Sequence, residues 1–229
     1  PEDRDLQGGG RLSLTTGRVD WSVSAWNGFV PFGLVTGPWR GAVPTLRLVH
    51  PRYTMLGGDF ETVAGKWAFR GEAAFFPRRP VQTENEATVY KGDSFEAGTG
   101  VDRRAGDFTL SGTLLYRRTH GWIKQPPPAG FMGRPSFRDL YKETLHQSVS
   151  VVAGFSRMFN RDRVETRVFS LVNPEDRAGF VRGLLAWKPA DDVAVETSLG
   201  WFIGEGDDVI TRFGDRDFGY VRVKYFFGR

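Results

Sequence analysis

The chain has 229 residues, of which 40% are hydrophobic, and this length suits one large domain. The chain has no cysteine, which excludes a disulfide framework and any Cys-ligated metal or haem. Its three histidines argue against a His-rich metal centre. Its 31 basic and 27 acidic residues give a net charge of +4 and are interspersed, so no nucleic-acid patch is predicted. We expect neither a metal nor a cofactor.

Apolar and polar residues alternate with a period of two along most of the chain, which predicts β-strands rather than helices. No apolar run reaches the roughly 18 residues that a transmembrane helix needs. The predicted strands, in chain order, span residues 9–16, 19–29, 51–63, 67–77, 89–103, 107–118, 145–159, 163–173, 179–188, 193–203 and 217–227. The sequence therefore predicts an all-β chain of about eleven strands.

Short and long connections alternate between these strands. The predicted short turns are 17–18, 64–66, 104–106, 160–162 and 189–192, and the longer connections are about 30–50, 78–88, 119–144 and 204–216, with 174–178 as the exception. Outer-membrane β-barrels have short periplasmic turns and long extracellular loops. A soluble Greek-key sandwich gives no reason for its two ends to differ in this way.

The alternation places the charged residues on one side of the strands. In the last predicted strand, for example, Val221, Val223 and Tyr225 share one face, and Arg222 and Lys224 share the other. We call these the apolar face and the polar face. An Arg or Lys on the lipid side at mid-depth costs about 2–4 kcal/mol, so a membrane strand has to keep its charges on the opposite face. The candidate pore-lining residues on the polar face are Asp59, Glu61, Arg70, Glu72, Glu96, Arg117, Glu165, Arg167, Arg182, Glu196, Arg222 and Lys224.

Aromatic residues of the apolar face occur near the predicted strand ends. Such positions are typical of the aromatic girdles that lie at the two membrane–water interfaces of a barrel. The core of a β-sandwich is the alternative place for the same side chains. The candidate lipid-interface aromatics are Trp21, Trp67, Tyr116, Trp187, Trp201, Tyr225 and Phe227.

The runs VDWSVSAWNGF, MLGGDFETVAGKWAFRGEAAFF, GDFTLSGTLLYRR and FGYVRVKYFF resemble Gram-negative porin-like barrels, including the alginate-export-like group. The resemblance covers nearly the whole chain, as a pattern of amphipathic hairpins without a catalytic motif. It implies a single antiparallel up-and-down transmembrane β-barrel over 1–229, with about 10–12 strands, in the outer membrane of a Gram-negative bacterium. The implied partners are outer-membrane lipid, lipopolysaccharide, small polar solutes, and second copies or partner chains of an envelope complex.

Two features depart from that family. Gly228 and Arg229 follow the final aromatic Phe227, and eleven is an odd number of strands, whereas bacterial single-chain barrels have even numbers. We expect either that 9–16 is not a barrel strand or that the barrel is incomplete at its N-terminus.

We therefore expect a passive or substrate-selective pore for small polar or anionic solutes, and not an enzyme. Ion pairs that fill a narrow barrel are the structural alternative for the same charges. A non-conducting barrel that serves as a surface enzyme or as a scaffold of an envelope complex is the second hypothesis. A soluble β-sandwich that binds a ligand is the third.

Two constellations bear on the enzyme hypothesis. The spacing of His146 and Ser148 is similar to the His-x-Ser pair of outer-membrane phospholipase A, but Val149 and Ser150 follow here where that family has Asn-Gly. The other constellation is similar to the Asp–His couple of omptin surface proteases, and a rim histidine among solvated loop charges is its alternative. It combines His120 and His146 with Asp93, Asp139, Asp207 and Asp208.

Overall fold

The computed structural model describes residues 6–36, 47–82, 89–124, 141–204, 210 and 213–227. Within these ranges no helix has the length and apolar character needed to cross a membrane. The strands are β1 (Gly8–Thr16), β2 (Val19–Phe29), β3 (Leu34–Thr36), β4 (Arg47–Val49), β5 (Arg52–Ala64), β6 (Trp67–Gln82), β7 (Val89–Ala105), β8 (Phe108–Lys124), β9 (Tyr141–Phe159), β10 (Val164–Asn173), β11 (Ala178–Ala190), β12 (Val193–Ile203) and β13 (Phe218–Tyr225).

Eleven of these strands form one antiparallel up-and-down sheet in the order β1-β2-β5-β6-β7-β8-β9-β10-β11-β12-β13. Strands β3 and β4 form a separate two-stranded hairpin. The sheet therefore has two edge strands, β1 and β13, with no ladder between them among the described residues. The prediction of an all-β, up-and-down antiparallel chain of about eleven strands is confirmed.

Glycine makes three of the tight turns possible. Gly17, Gly65 and Gly106 open the two-residue connections β1–β2, β5–β6 and β7–β8, and their φ angles are 63°, 62° and 60°. Two-residue hairpin turns need a positive φ at this position, where a side chain would be strained. These turns lie in three of the five connections that the sequence predicted to be short.

The strands are longer than predicted on the side of the long connections. Strands β6, β8 and β9 extend into the predicted loops 78–88 and 119–144, and the β3–β4 hairpin lies within the predicted loop 30–50. At the other end, β11 continues to Ala190 across a register shift between Trp187 and Ala190. Pro189 lies at this irregularity, where its missing N–H is tolerated, so the predicted four-residue turn has only two residues.

The chain divides into two compact units that share these strands. Unit 1 comprises Pro1–Phe60, Glu72–Ala97 and Arg117–Gln147, and it contains β1, β2, the β3–β4 hairpin and the loop-side parts of β5 to β9. Unit 2 comprises Glu61–Gly71, Gly98–Tyr116 and Ser148–Arg229, and it contains the turn-side parts of β5 to β9 and all of β10 to β13. The single domain expected over 1–229 stays a prediction.

Few hydrophobic side chains are buried among the described residues. The buried hydrophobic residues are Phe76, Tyr90, Ala178, Ala194 and Ile210, whereas a soluble domain of this length normally buries many large aliphatic side chains. Large residues of the apolar face are instead half exposed, among them Leu185 (49%), Trp187 (50%) and Leu199 (48%). A sandwich would cover this face with a second sheet, and none covers it in the described part of the chain.

Small polar side chains occupy buried positions on the opposite face. Ser94 and Ser198 are each 1% exposed and Ser22 is 3% exposed. The hydroxyl of Ser94 hydrogen bonds to that of Thr119 at 2.8 Å, which satisfies both groups away from water. In the described part of the chain, many large apolar side chains are therefore exposed on one face while small hydroxyl side chains are buried on the other.

Candidate functional site

The registers of β10 to β13 place three of the predicted charges of unit 2 in one row of the polar face. Glu165 is opposite Ala186, which is opposite Glu196, which is opposite Arg222. Because Cα partners in an antiparallel ladder project to the same side, these charges share one face. The sequence assigned them to one face from alternation alone, and the register agrees.

Glu196 is the centre of a hydrogen-bonded group on β12 and β13. Its two carboxylate oxygens accept hydrogen bonds from the Tyr220 hydroxyl at 2.6 Å and from Lys224 Nζ at 3.0 Å. The same Tyr220 oxygen accepts a hydrogen bond from Arg182 Nη2 at 2.6 Å. Tyr220, which the sequence analysis did not single out, therefore links a base and an acid. The sequence does place Tyr220 on the polar face, because it alternates with Val221 and shares the even positions of Arg222 and Lys224 in β13.

Arg182 is held by neutral groups. Besides Tyr220, its Nε donates to the hydroxyl of the buried Ser198 at 2.8 Å, and that hydroxyl donates to the carbonyl of Gly183 at 3.0 Å. Arg167, on β10, instead forms a bidentate pair with Glu165 two residues earlier, with N–O distances of 2.6 and 2.9 Å. Of the predicted basic residues in β10 to β13, Arg167 and Lys224 have carboxylate partners, whereas Arg182 and Arg222 form no ion pair with a described residue.

Another ion pair of unit 2 lies near the short turns. Arg70 Nη2 is 2.9 Å from a carboxylate oxygen of Asp102. The Arg70 side chain covers Gly100, where an added Cβ would lie 2.9 Å from Arg70 Nε. A larger residue at this glycine would therefore displace the guanidinium.

In unit 1 the first site joins β1, β2 and β5. Arg11 Nη2 is 3.0 and 3.1 Å from the two carboxylate oxygens of Asp59, and Arg11 Nε donates to the Ser22 hydroxyl at 2.8 Å. The Ser22 hydroxyl in turn donates to Asp59. This triad gives β1 a polar attachment to the sheet, and Arg11 was not among the predicted site residues.

A second charged group of unit 1 contains two bases and one acid. Arg79 Nη1 and Arg117 Nε lie 2.6 and 3.1 Å from the same oxygen of Glu96. Arg79 was missed because strict alternation places it on the apolar face. Arg78 has a φ of 50°, and Arg79 stacks on Phe76, three residues earlier, at 4.4 Å, so the alternation shifts by one residue there.

The remaining predicted pore-lining residues are Glu61 and Glu72. Both are exposed, and neither forms an ion pair with another described residue. Within the described ranges, no group of three or more His, Asp or Glu side chains is placed to hold a metal ion.

The predicted lipid-interface aromatics are mostly exposed and close to strand ends. Trp21 and Trp67 follow short turns, and Trp187 precedes the 191–192 turn. Tyr225 ends β13 opposite Val193, the first residue after that turn. Trp201 lies near the other end of β12, and Phe227 lies just past β13. Tyr116 differs, because β8 continues to Lys124 and leaves this residue in the middle of the strand. The sequence placed it at a strand end because the polar run after it suggested a loop.

The histidine constellations have different outcomes. His120 Nε2 is 2.7 Å from a carboxylate oxygen of Glu143, a residue that the sequence analysis did not name. Asp93 instead accepts the backbone N–H of Arg78 at 2.8 Å, and no hydrogen bond joins His146 to Ser148 in the described structure. Asp139, Asp207 and Asp208 lie outside the described residues. No hydroxyl nucleophile is hydrogen bonded to His120 among the residues that the structure describes.

Comparison with known proteins adds no family. A scan against protein-family models finds no match to the chain, and a search of curated proteins finds no similar sequence.

Proposed function

We propose that this chain forms a transmembrane β-barrel of the porin-like type in a Gram-negative outer membrane and conducts small polar or anionic solutes. The observation that carries the proposal is the inverted distribution of polarity. Large apolar side chains of the sheet are half exposed on one face, while serine hydroxyls are buried on the other. Contact with hydrocarbon would remove the exposed apolar area from water, which is the dominant favourable term in burial.

The charges at the apolar-face positions of β9, Glu143 and Arg157, lie near the two ends of the strand, which supports the same arrangement. Arg157 is opposite Thr166 on β10, two residues before the end of its strand, and its guanidinium lies 4.6 Å from the Phe159 ring centre. A charge near the interface costs about 0–1 kcal/mol, because its long side chain reaches the headgroups. Arg103, whose guanidinium lies 4.8 Å from the Trp67 ring at another short turn, has a comparable place.

The twelve candidate pore-lining residues comprise six acids and six bases, but the bases are in excess on β10 to β13, which supports a preference for anions in this part of the polar face. In β10 to β13 the four bases Arg167, Arg182, Arg222 and Lys224 face two acids, Glu165 and Glu196. Rings or clusters of one charge sign in a pore attract the opposite sign of solute.

Closure of the barrel sets a further requirement. In an antiparallel series of eleven strands, the first and last have the same direction. Direct pairing of β1 with β13 would therefore form a parallel ladder, and closure by antiparallel pairs alone would need another strand. Mitochondrial channel barrels with an odd strand number show that the parallel solution exists.

Recording from planar bilayers tests the proposal. Purified protein refolded in detergent is expected to insert and to give stepwise conductance, with a reversal potential in a KCl gradient that indicates anion preference. Heat-modifiable migration on gels provides the companion assay for a folded barrel. A monodisperse protein that is soluble without detergent and inactive in bilayers would overturn the proposal.

A non-conducting barrel that serves as a surface enzyme is the second candidate, and the His120–Glu143 pair is the observation that favours it. An imidazole held by a carboxylate can act as a general base if a nucleophile or a water lies within reach. Under our proposal, His120→Ala leaves conductance intact and no phospholipid or peptide hydrolysis is found in the parent protein. Hydrolysis that disappears in His120→Ala, without conductance, would favour the enzyme.

A further inference from the structure

The polar face of unit 2 changes from charged to aromatic along its strands. One row contains Glu196 and Arg222, and the next contains Ser198 and Tyr220. In the row after that, Gly200 of β12 lies between Arg182 of β11 and Phe218 of β13. An arginine thus lies at the boundary between the charged and aromatic parts of this face.

Two arginines flank Tyr220 at this boundary. The guanidinium carbons of Arg182 and Arg222 lie 5.8 and 5.3 Å from the Tyr220 ring centre. The nearest acid, Glu196, accepts its hydrogen bonds from Tyr220 and Lys224 instead. Arg182 donates hydrogen bonds to the Ser198 and Tyr220 hydroxyls, whereas Arg222 lies against the Tyr220 ring and is attracted by the charge of Glu196, its partner across the ladder. Neither guanidinium forms an ion pair with a described carboxylate, so donors of both remain for an external anion.

A group of phenylalanines begins beside these arginines. The ring of Phe180 lies 4.7 Å from that of Phe202 and 6.3 Å from that of Phe218, measured between centroids. Phe202 also contacts Phe213 at 5.7 Å. The Phe218 ring lies over Gly200, where an added Cβ would be 2.5 Å from it, so the missing side chain makes room for the ring. Charge and apolar surface therefore adjoin on one side of three neighbouring strands, β11, β12 and β13.

We propose that this place binds amphipathic monocarboxylates, with the carboxylate on Arg182, the charge of Arg222 on the same face adding attraction, and an aryl or short alkyl body against Phe180, Phe202 and Phe218. The proposal rests on the proposed function, since it names the solute class that the pore would prefer. The planar fork of a guanidinium matches a carboxylate in two parallel hydrogen bonds. Aromatic rings contribute apolar contact and offset or edge-to-face stacking to a ring of the solute.

Three probes of graded chemistry test the site in protein reconstituted into lipid nanodiscs. 3-Phenylpropionate carries both features, propionate lacks the ring, and 3-phenylpropanol lacks the charge. Titration calorimetry, with empty nanodiscs subtracted for partitioning, is expected to give at least about tenfold tighter binding for 3-phenylpropionate than for either other probe. Equal affinities for 3-phenylpropionate and 3-phenylpropanol would overturn the role of the arginines.

Variants separate the two halves of the site. Arg182→Gln and Phe180→Ala are each expected to weaken 3-phenylpropionate binding about tenfold. Arg222→Gln serves as a second charge variant, because Arg222 is exposed on the edge strand β13 and takes no part in the hydrogen bonds of Arg182 with Tyr220 and Ser198. Arg157→Gln is the matched control, since it removes an arginine from the apolar face and should leave binding unchanged. Equal losses in Arg157→Gln and Arg222→Gln would refute the assignment.

Conductance distinguishes the failure of this site from the failure of the proposed function. A channel that conducts but shows no preference among the three probes refutes the site and leaves the pore. Arginine-dependent binding without any conductance refutes the pore and leaves the site. A channel whose current is reduced by 3-phenylpropionate in the parent protein, but not in Arg222→Gln, supports both.

Discussion

Leu185 and Ala186 form a matched pair for testing which medium touches the apolar face. They are consecutive residues near the middle of β11, so their side chains project to opposite faces. Leu185 is opposite Thr166 and Thr197 on the apolar face, whereas Ala186 is opposite Glu165 and Glu196 on the polar face. Leu185→Arg and Ala186→Arg therefore add the same charged side chain to two different surroundings.

The expected magnitudes follow from exposure and from the cost of charge in lipid. Leu185 is 49% exposed, so lipid contact contributes about half of the roughly 1.5–3 kcal/mol available from burying a leucine, or about 1 kcal/mol. An arginine at mid-depth adds about 2–4 kcal/mol. Leu185→Arg is thus expected to lower the free energy of unfolding from a bilayer by about 3–5 kcal/mol. Ala186→Arg, between two carboxylates, is expected to change it by less than about 1 kcal/mol.

Urea-induced unfolding from phosphatidylcholine vesicles, followed by tryptophan fluorescence, measures this difference. Leu185→Ala separates the loss of the leucine, at about 1 kcal/mol, from the addition of the charge. If both arginine variants lie within about 0.5 kcal/mol of the parent protein, the apolar face touches water, since surface substitutions usually have effects of that size. That result would refute the membrane assignment.

Three further predictions test the polar face. Gly200→Ala is expected to destabilise the sheet by about 1–3 kcal/mol, because the new Cβ would overlap Phe218. Gly183→Ala is the control, since nothing lies within 4 Å of its added Cβ, and its stability is expected to stay within about 0.5 kcal/mol of the parent protein. Unfolding from vesicles measures both variants, and equal values would contradict the overlap. Ser198→Ala removes a buried hydroxyl that bonds to the Gly183 carbonyl and is expected to cost about 1 kcal/mol in the same assay, with no change pointing to a solvated site. Glu196→Gln removes a negative charge and is expected to move the reversal potential in a KCl gradient further toward chloride, and a shift toward potassium would be inconsistent with this residue lining the pore.

The strands and their faces could be predicted from the sequence because alternation is a local signal. Eleven predicted strands have counterparts in the sheet, and the charges of β12 and β13 lie on the predicted face. The signal fails where the backbone departs from regular pleating. Arg79 was assigned to no site because the positive φ of Arg78 shifts the alternation, and Pro189 suggested a turn where the strand continues through an irregularity.

The contacts within the site could not be predicted from alternation. Which carboxylate meets which base depends on register and rotamer, so Glu196 binding Tyr220 and Lys224 rather than its direct partner Arg222 was beyond sequence reasoning. Strand ends were also uncertain, since β8 and β9 extend through polar residues that resemble a loop. Polar residues can continue a strand where a neighbouring strand offers hydrogen-bond partners. A short stretch of sequence does not show whether such a neighbour is present.

Spin labels provide the most direct measurement of what touches the apolar face, because the chain has no cysteine and single cysteines can be introduced without background. Leu184→Cys and Leu185→Cys, labelled with a nitroxide and reconstituted in vesicles, are compared by power-saturation EPR. If lipid touches the apolar face, we expect frequent collisions with oxygen and few with a water-soluble nickel chelate for the label at position 185, and the reverse at position 184. Frequent collisions of the label at position 185 with the nickel chelate would contradict contact with lipid.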